Sequence, residues 1–291
     1  MERLISFERY LFEDEKEISI DDMEFCVDRI LMFPRIRPHQ LEKAVIFSSE
    51  HIHIRGYRER LFEKSNECPV LIYRLYKRGH LVFEEMERFL KKSDCFLLSY
   101  YFRKEINDFD NFIETKQRPS DIDDAFLANS DEIDKMIEYG FLPKSIEYCL
   151  KYDVIEEFTN YEIINQEIKW SPFEWSYKPD FLDYLSISGF FGSIRCFKHL
   201  LLKGYIINQR VTSMVVCGGC LDLFHMCQEH LFLDVSNIFK VCEFHHFQIF
   251  VFMIENGSDI NAKDERVDWK YLIKIFFIML VKMVTFVLLN I

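Results

Sequence analysis

The stretch Leu185-Ser186-Ile187-Ser188-Gly189-Phe190-Phe191-Gly192 decides the architecture. It is small and apolar, and it stops at a glycine. Directly behind it, Ile194-Arg195-Cys196-Phe197-Lys198-His199-Leu200-Leu201-Leu202 places apolar residues at helical spacing and ends in Lys203-Gly204. The same grammar returns from Val215 to Leu231 and from Val241 to Gly257. The turn residues Gly192, Gly219 and His245 lie 27 and 26 residues apart. A fixed period of this kind is the mark of a repeat architecture. Each unit reads as a short first helix, a tight turn, an amphipathic second helix and a loop. Gly204 and Gly257 follow the last periodic residue, where a left-handed cap needs no Cβ. One such pair cannot bury its apolar face alone, whereas stacked pairs can. The expected fold is all-α, a helical solenoid.

Glu255-Asn256-Gly257-Ser258-Asp259-Ile260-Asn261-Ala262-Lys263-Asp264-Glu265 resembles the end of an ankyrin repeat. The twelve residues from Gly192 to Gly204 match the gap between the two glycines of such a unit. Asp183-Tyr184-Leu185-Ser186 stands where that family has Thr-Pro-Leu-His, and the units fall short of its usual period of about 33 residues. Phe190 to Lys198 is similar to the divergent, lineage-expanded ankyrin families of unicellular eukaryotes, which carry a helical region ahead of their repeats. The resemblance implies degenerate ankyrin repeats and a scaffold that binds protein and performs no reaction. It makes Gly192, Gly204, Gly219, His245, Gly257, Asp259 and Asn261 the repeat-defining positions. In that family the two positions before the turn glycine face the binding strip. Carried over, they are Phe190, Phe191, Cys217, Glu243 and Phe244. Aromatics there either meet the partner or pack between helices.

Composition bounds the rest. Of 291 residues, 49% are hydrophobic and 16% aromatic, which excludes a disordered chain. Only 9 Gly and 7 Pro suit a helical protein with few sharp turns. A net charge of −12 disfavours nucleic acid and anionic membrane, and points to a partner protein with a basic surface. The nine cysteines are scattered and odd in number, and Met1 to Tyr10 carries Glu2, Arg3, Glu8 and Arg9 where a leader would be apolar. A reducing, cytoplasmic setting is expected, with the thiols acting as small hydrophobes.

In chain order, 1–115 reads as an N-terminal helical region. Asp21-Asp22-Met23-Glu24 has the form of a capping box. Helices follow from Gln40 to Phe47, Pro69 to Gly79, Phe83 to Leu90 and Phe96 to Phe102. Lys116 to Asp121 reads as a linker. Residues 122–170 read as degenerate repeats: Ala125 to Ser130 with Ile133 to Gly140, then Ser145 to Phe158. Ser171 to Asp180, with Trp175, is expected as an ordered loop before the clearer repeats at 181–265. The apolar tail, 266–291, admits three readings. It could form a native buried helix. As Tyr271 to Ile291 it is long enough to anchor the chain in a membrane, giving a tethered ankyrin adaptor, although Lys282 near mid-span costs about 3 kcal/mol. Or it is an out-of-frame remnant of a further repeat, since a shifted frame makes Met283-Val284 a glycine preceded by Asn or Asp.

Chemistry has one candidate. Cys217-Gly218-Gly219-Cys220 with Cys242-Glu243-Phe244-His245 has paired-ligand spacing. Equivalent points on neighbouring packed helices sit about 8–10 Å apart, against metal–ligand bonds of about 2–2.3 Å. No metal is therefore assigned. A redox role for the cysteine pair would need a preceding strand. Asp21-Asp22, Glu84-Glu85 and Asp123-Asp124 read as caps and solvated faces. No Gly-x-Ser-x-Gly, His-Glu-x-x-His or phosphate-cradling loop occurs. The expectation is a protein with no catalytic residue and no cofactor.

Overall fold

Short helices ended by tight turns run through the described chain. The computed structural model describes residues 27–28, 30–32, 34–35, 38–119, 122, 130–162, 168–179, 183–228, 235–244 and 246–256. No strand occurs among them. His245, Gly257, Asp259, Asn261, the capping box at Asp21 and the tail 266–291 lie outside the described residues, as do Ala125 to Asn129. No described helix is long and apolar enough to cross a membrane.

Two compact units form. The first holds the chain up to Leu142 and takes back Trp170–Tyr177; the second holds Pro143–Lys169 and the chain from Lys178. Helices of the first unit are α1 (Leu41–His51), α2 (Arg55–Glu63), α3 (Pro69–Lys77), α4 (Phe83–Lys92), α5 (Phe96–Tyr101), α6 (Phe109–Glu114) and α7 (Ser130–Tyr139). Pro69 opens α3, where no N–H is needed. Glu84 and Glu85 start α4 while Lys91 and Lys92 end it, matching the helix dipole at both ends. Alternate helices α1, α3 and α5 pack against one another in chain order. They start 28 and 27 residues apart, each one residue more than the 27 and 26 of the C-terminal turns. Gly79 is left-handed with φ 77°. Its N–H reaches Tyr76 O at 2.8 Å, and the His80 N–H reaches Leu75 O at 3.0 Å, a Schellman closure.

The expected linker is not free. Lys116 Nζ donates to the carbonyls of Leu90 (2.6 Å) and Ser93 (2.7 Å), and the Gln117 N–H to Asp94 Oδ1 (2.7 Å). The compact division falls after Leu142 because α7 buries Ile133, Met136 and Ile137 in the first unit's core.

The second unit contains α8 (Ile146–Tyr152), α9 (Ile155–Phe158), α10 (Tyr184–Phe191), α11 (Ile194–Leu202), α12 (Gln209–Gly218), α13 (Leu221–Met226), α14 (Val235–Glu243) and α15 (Phe247–Glu255). These make four pairs. First helices α8, α10, α12 and α14 pack in chain order, each also against its own second helix. Side-chain caps start three of them. Ser145 accepts from the Tyr148 N–H, Asp183 from Ser186, and Asn208 from Arg210 and Val211. Every residue of α10 is buried, since α8 covers one side and α12 the other. Glycines permit that closeness. A Cβ on Gly218 would lie 2.4 Å from the carbonyl oxygens of Gly189 and Phe190, and one on Gly189 would lie 2.7 Å from Val215 Cγ2.

Candidate functional site

The turns between first and second helices stack on one another in the second unit. Asp153, Gly192 and Gly219 are all left-handed, with φ 56°, 72° and 69°. A helix C-terminus leaves carbonyls without intrahelical partners. Here the residue following one turn reaches back to the turn before it. Ser193 Oγ donates to Leu150 O. His246 Nε2 donates to Cys217 O at 2.6 Å. Cys220 lies against Gly192, where an added Cβ would sit 3.2 Å from the Cys220 Cβ. The His246 ring covers Gly219 so closely that a Cβ there would be 1.9 Å from it.

Asp153 has a second duty. Its carboxylate accepts the backbone N–H groups of Arg195 (3.1 Å) and Cys196 (2.9 Å), capping α11 from the preceding turn. The Arg195 guanidinium pairs with Asp153 at 3.4 Å and Glu156 at 2.9 Å. Below the turns, the fifth residue after each turn position is phenylalanine: Phe158, Phe197, Phe224 and Phe250. All four are buried. Sequence reasoning built on turn glycines misses this ladder, along with Asp153 in the glycine position and the two reaching residues, Ser193 and His246.

The five carried-over partner positions land unevenly. Glu243 is exposed. Phe190 (3% exposed) and Phe244 (2%) are buried, as are Phe191 and Cys217. Phe190 meets Phe191 edge-on at 5.2 Å and Phe244 at 6.4 Å. In the structure these aromatics pack between helices. For Phe190 and Phe191 the cause is α10's place between α8 and α12, which leaves that eight-residue helix no open side. Gly192, Gly204 and Gly219 take the left-handed conformation their turn positions require.

Burial pushes the Cys227 and Cys242 thiols up to about 12 and Cys149 to about 11. Cys196 is raised first by burial and then by Asp153. Thiols held protonated are poor nucleophiles and poor metal ligands. His246 is committed to a carbonyl. Among the described residues no three His, Cys, Asp or Glu side chains are placed to hold a metal ion. Comparison of the chain with protein-family models, curated proteins and solved structures gives no match.

Proposed function

We propose that this chain is a non-catalytic protein-binding scaffold whose second unit is built from degenerate repeats of the ankyrin type. One observation carries the reading: the stacked turns, in which each pair's turn seats the residue that follows the next pair's turn. Three such contacts link the four pairs, and phenylalanine stands five residues beyond each turn position. A row built this way is ordered before any partner arrives, so docking costs little chain entropy. The 28- and 27-residue spacing of α1, α3 and α5 supports the same construction in the first unit. With four of the five carried-over positions buried, Glu243 is the one that can meet a partner, and the net charge of −12 suits one with a basic surface.

The test is affinity capture with the full chain as bait. A protein retained at stoichiometric level, released by raised salt and retained less by the Glu243→Lys variant, is the expected outcome. A chain that holds nothing beyond what its heat-denatured form holds contradicts the proposal.

A further inference from the structure

The segment Trp170-Ser171-Pro172-Phe173-Glu174-Trp175-Ser176-Tyr177 is out of place in the chain. It forms no helix. The residues on either side of it, Pro143–Lys169 and those from Lys178, belong to the second unit, while the segment itself belongs to the first. Yet it is core. Phe173 is 1% exposed, and Ser171, Glu174, Trp175 and Ser176 are all buried.

Its contacts progress in order along the first unit. The Tyr177 N–H donates to Arg35 O at 2.8 Å, and Trp175 Nε1 to Pro38 O at 3.1 Å, ahead of α1. Phe173 packs on α5, with its ring 5.7 Å from Tyr101 and 6.3 Å from Tyr100, and its carbonyl accepts from Tyr101 Oη at 3.5 Å. Ser171 Oγ reaches the Met136 sulfur in α7 at 3.6 Å, and Trp170 meets Phe141 edge-on at 5.2 Å. As the segment's residue numbers fall from 177 to 170, those of its partners rise from 35 to 141. A peptide laid across successive helices makes this pattern. Between the two deepest aromatics sits Glu174, which accepts the Ser176 N–H at 2.9 Å. Glu174 and the Arg74 guanidinium both act on the buried Tyr101 phenol, whose pKa burial raises first. Arg74 Nε is buried without a hydrogen-bond partner. The Arg74 guanidinium donates from Nη2 to Glu138 O at 3.1 Å, so the face offers two aromatic sockets, one beside Pro38 and one against Tyr100 and Tyr101.

We infer that the first unit is a docking face for an extended peptide of the order aromatic–x–aromatic, and that Trp170–Tyr177 is the ligand the chain supplies to itself. The partner that fits in trans is an extended segment presenting phenylalanine and tryptophan on either side of a single residue. This rests on the scaffold reading and adds, in the first unit, a recognition face separate from the one at Glu243. Such a partner must outcompete a tethered segment whose effective concentration is in the millimolar range.

The test uses the full chain with Phe173→Ala and Trp175→Ala, which empties both sockets. The probe is a fluorescently labelled synthetic peptide of this chain's residues 168–179, read by anisotropy. The opened variant is expected to bind it saturably, and the wild type about 100-fold or more weaker, because its own segment competes. A peptide carrying the same two alanines should bind neither. A folded, cooperatively melting variant that binds the two peptides alike overturns the inference, and so does a wild type that binds as tightly as the variant. Should the opened variant fail to fold, excess wild-type peptide must restore a cooperative transition, since a ligand of the folded state stabilises it; no restoration also overturns it. The peptide assay reads the first unit's face alone and affinity capture reads the scaffold, so either can fail without the other.

Discussion

Replacing Gly219 by alanine strikes the stacked turns at their tightest point. Gly219 has φ 69°, and a side chain in the left-handed region costs about 1–2 kcal/mol. The new Cβ would also stand 1.9 Å from the His246 ring. The ring must leave, and with it the hydrogen bond from Nε2 to Cys217 O. A buried carbonyl left unmet costs about 1–3 kcal/mol, and forcing atoms into a packed site costs a similar amount. The total is about 3–8 kcal/mol. Gly204 supplies the control. Its φ is 90°, but a Cβ there meets nothing within 4 Å, so alanine costs only the backbone share of about 1–2 kcal/mol. In urea denaturation followed by circular dichroism, with m of about 2 kcal/mol/M, the two midpoints should differ by about 1 M or more. Adding His246→Ala to Gly219→Ala removes the obstructing ring, so the double variant should be less destabilised than the sum of the singles by about 1–2 kcal/mol. Gly219→Ala and Gly204→Ala variants of equal stability would refute the stacking argument.

Three further outcomes follow from the same geometry. Phe190→Ala and Phe244→Ala each empty a buried aromatic site and should destabilise the chain by about 3–5 kcal/mol in denaturant titrations; unchanged stability would return these residues to a partner-facing role. Asp153→Ala removes the cap on the Arg195 and Cys196 N–H groups and should cost about 1–2 kcal/mol in the same titrations. Glu156→Ala breaks only the exposed end of the Arg195 pair and should change stability by no more than about 0.5 kcal/mol, so equal losses at the two positions would deny Asp153 its capping role. The Cys227 and Cys242 thiols hold their protons to about 12 when folded, against 9.0 as the ordinary value. The unfolded thiol ionises first, so their contribution is complete below pH 9 and is lost as pH rises towards 12. Thermal melts should show a loss of about 1.4 kcal/mol per thiol per pH unit in that window, reduced in a Cys227→Ala variant.

Much of the helical pattern is legible in the sequence. Ile194 to Leu202 is the helix that its apolar spacing predicts, and α3 begins at Pro69 as the proline asymmetry requires. Gly192 and Gly219 stand out by period alone, because a left-handed turn leaves a residue type behind. Asp153 fills the same conformation without glycine, so the period is harder to see at that pair. The inward turn of Phe190 and Phe244 is not legible. Phe190 lies in α10, which α8 and α12 cover from both sides, and Phe244 lies just past the end of α14; nothing in the composition of either stretch records what covers it. The segment at Trp170–Tyr177 reads as ordered from its aromatics, but aromatic content records that a segment is buried and not against what. The boundary after Leu142 is hidden for a related reason: Lys116 to Asp121 has a linker's composition, yet Lys116 bonds to the end of α4 through its ammonium.

The stacking of consecutive turns is tested most directly by a cross-link between two of them. A Cβ at Gly192 would lie 3.2 Å from the Cys220 Cβ, within a few tenths of an ångström of disulfide geometry. Under mild oxidation the Gly192→Cys variant should form a single bond between positions 192 and 220, found by peptide mapping of the folded protein. Oxidised, folded protein in which those two thiols stay unjoined would contradict the account.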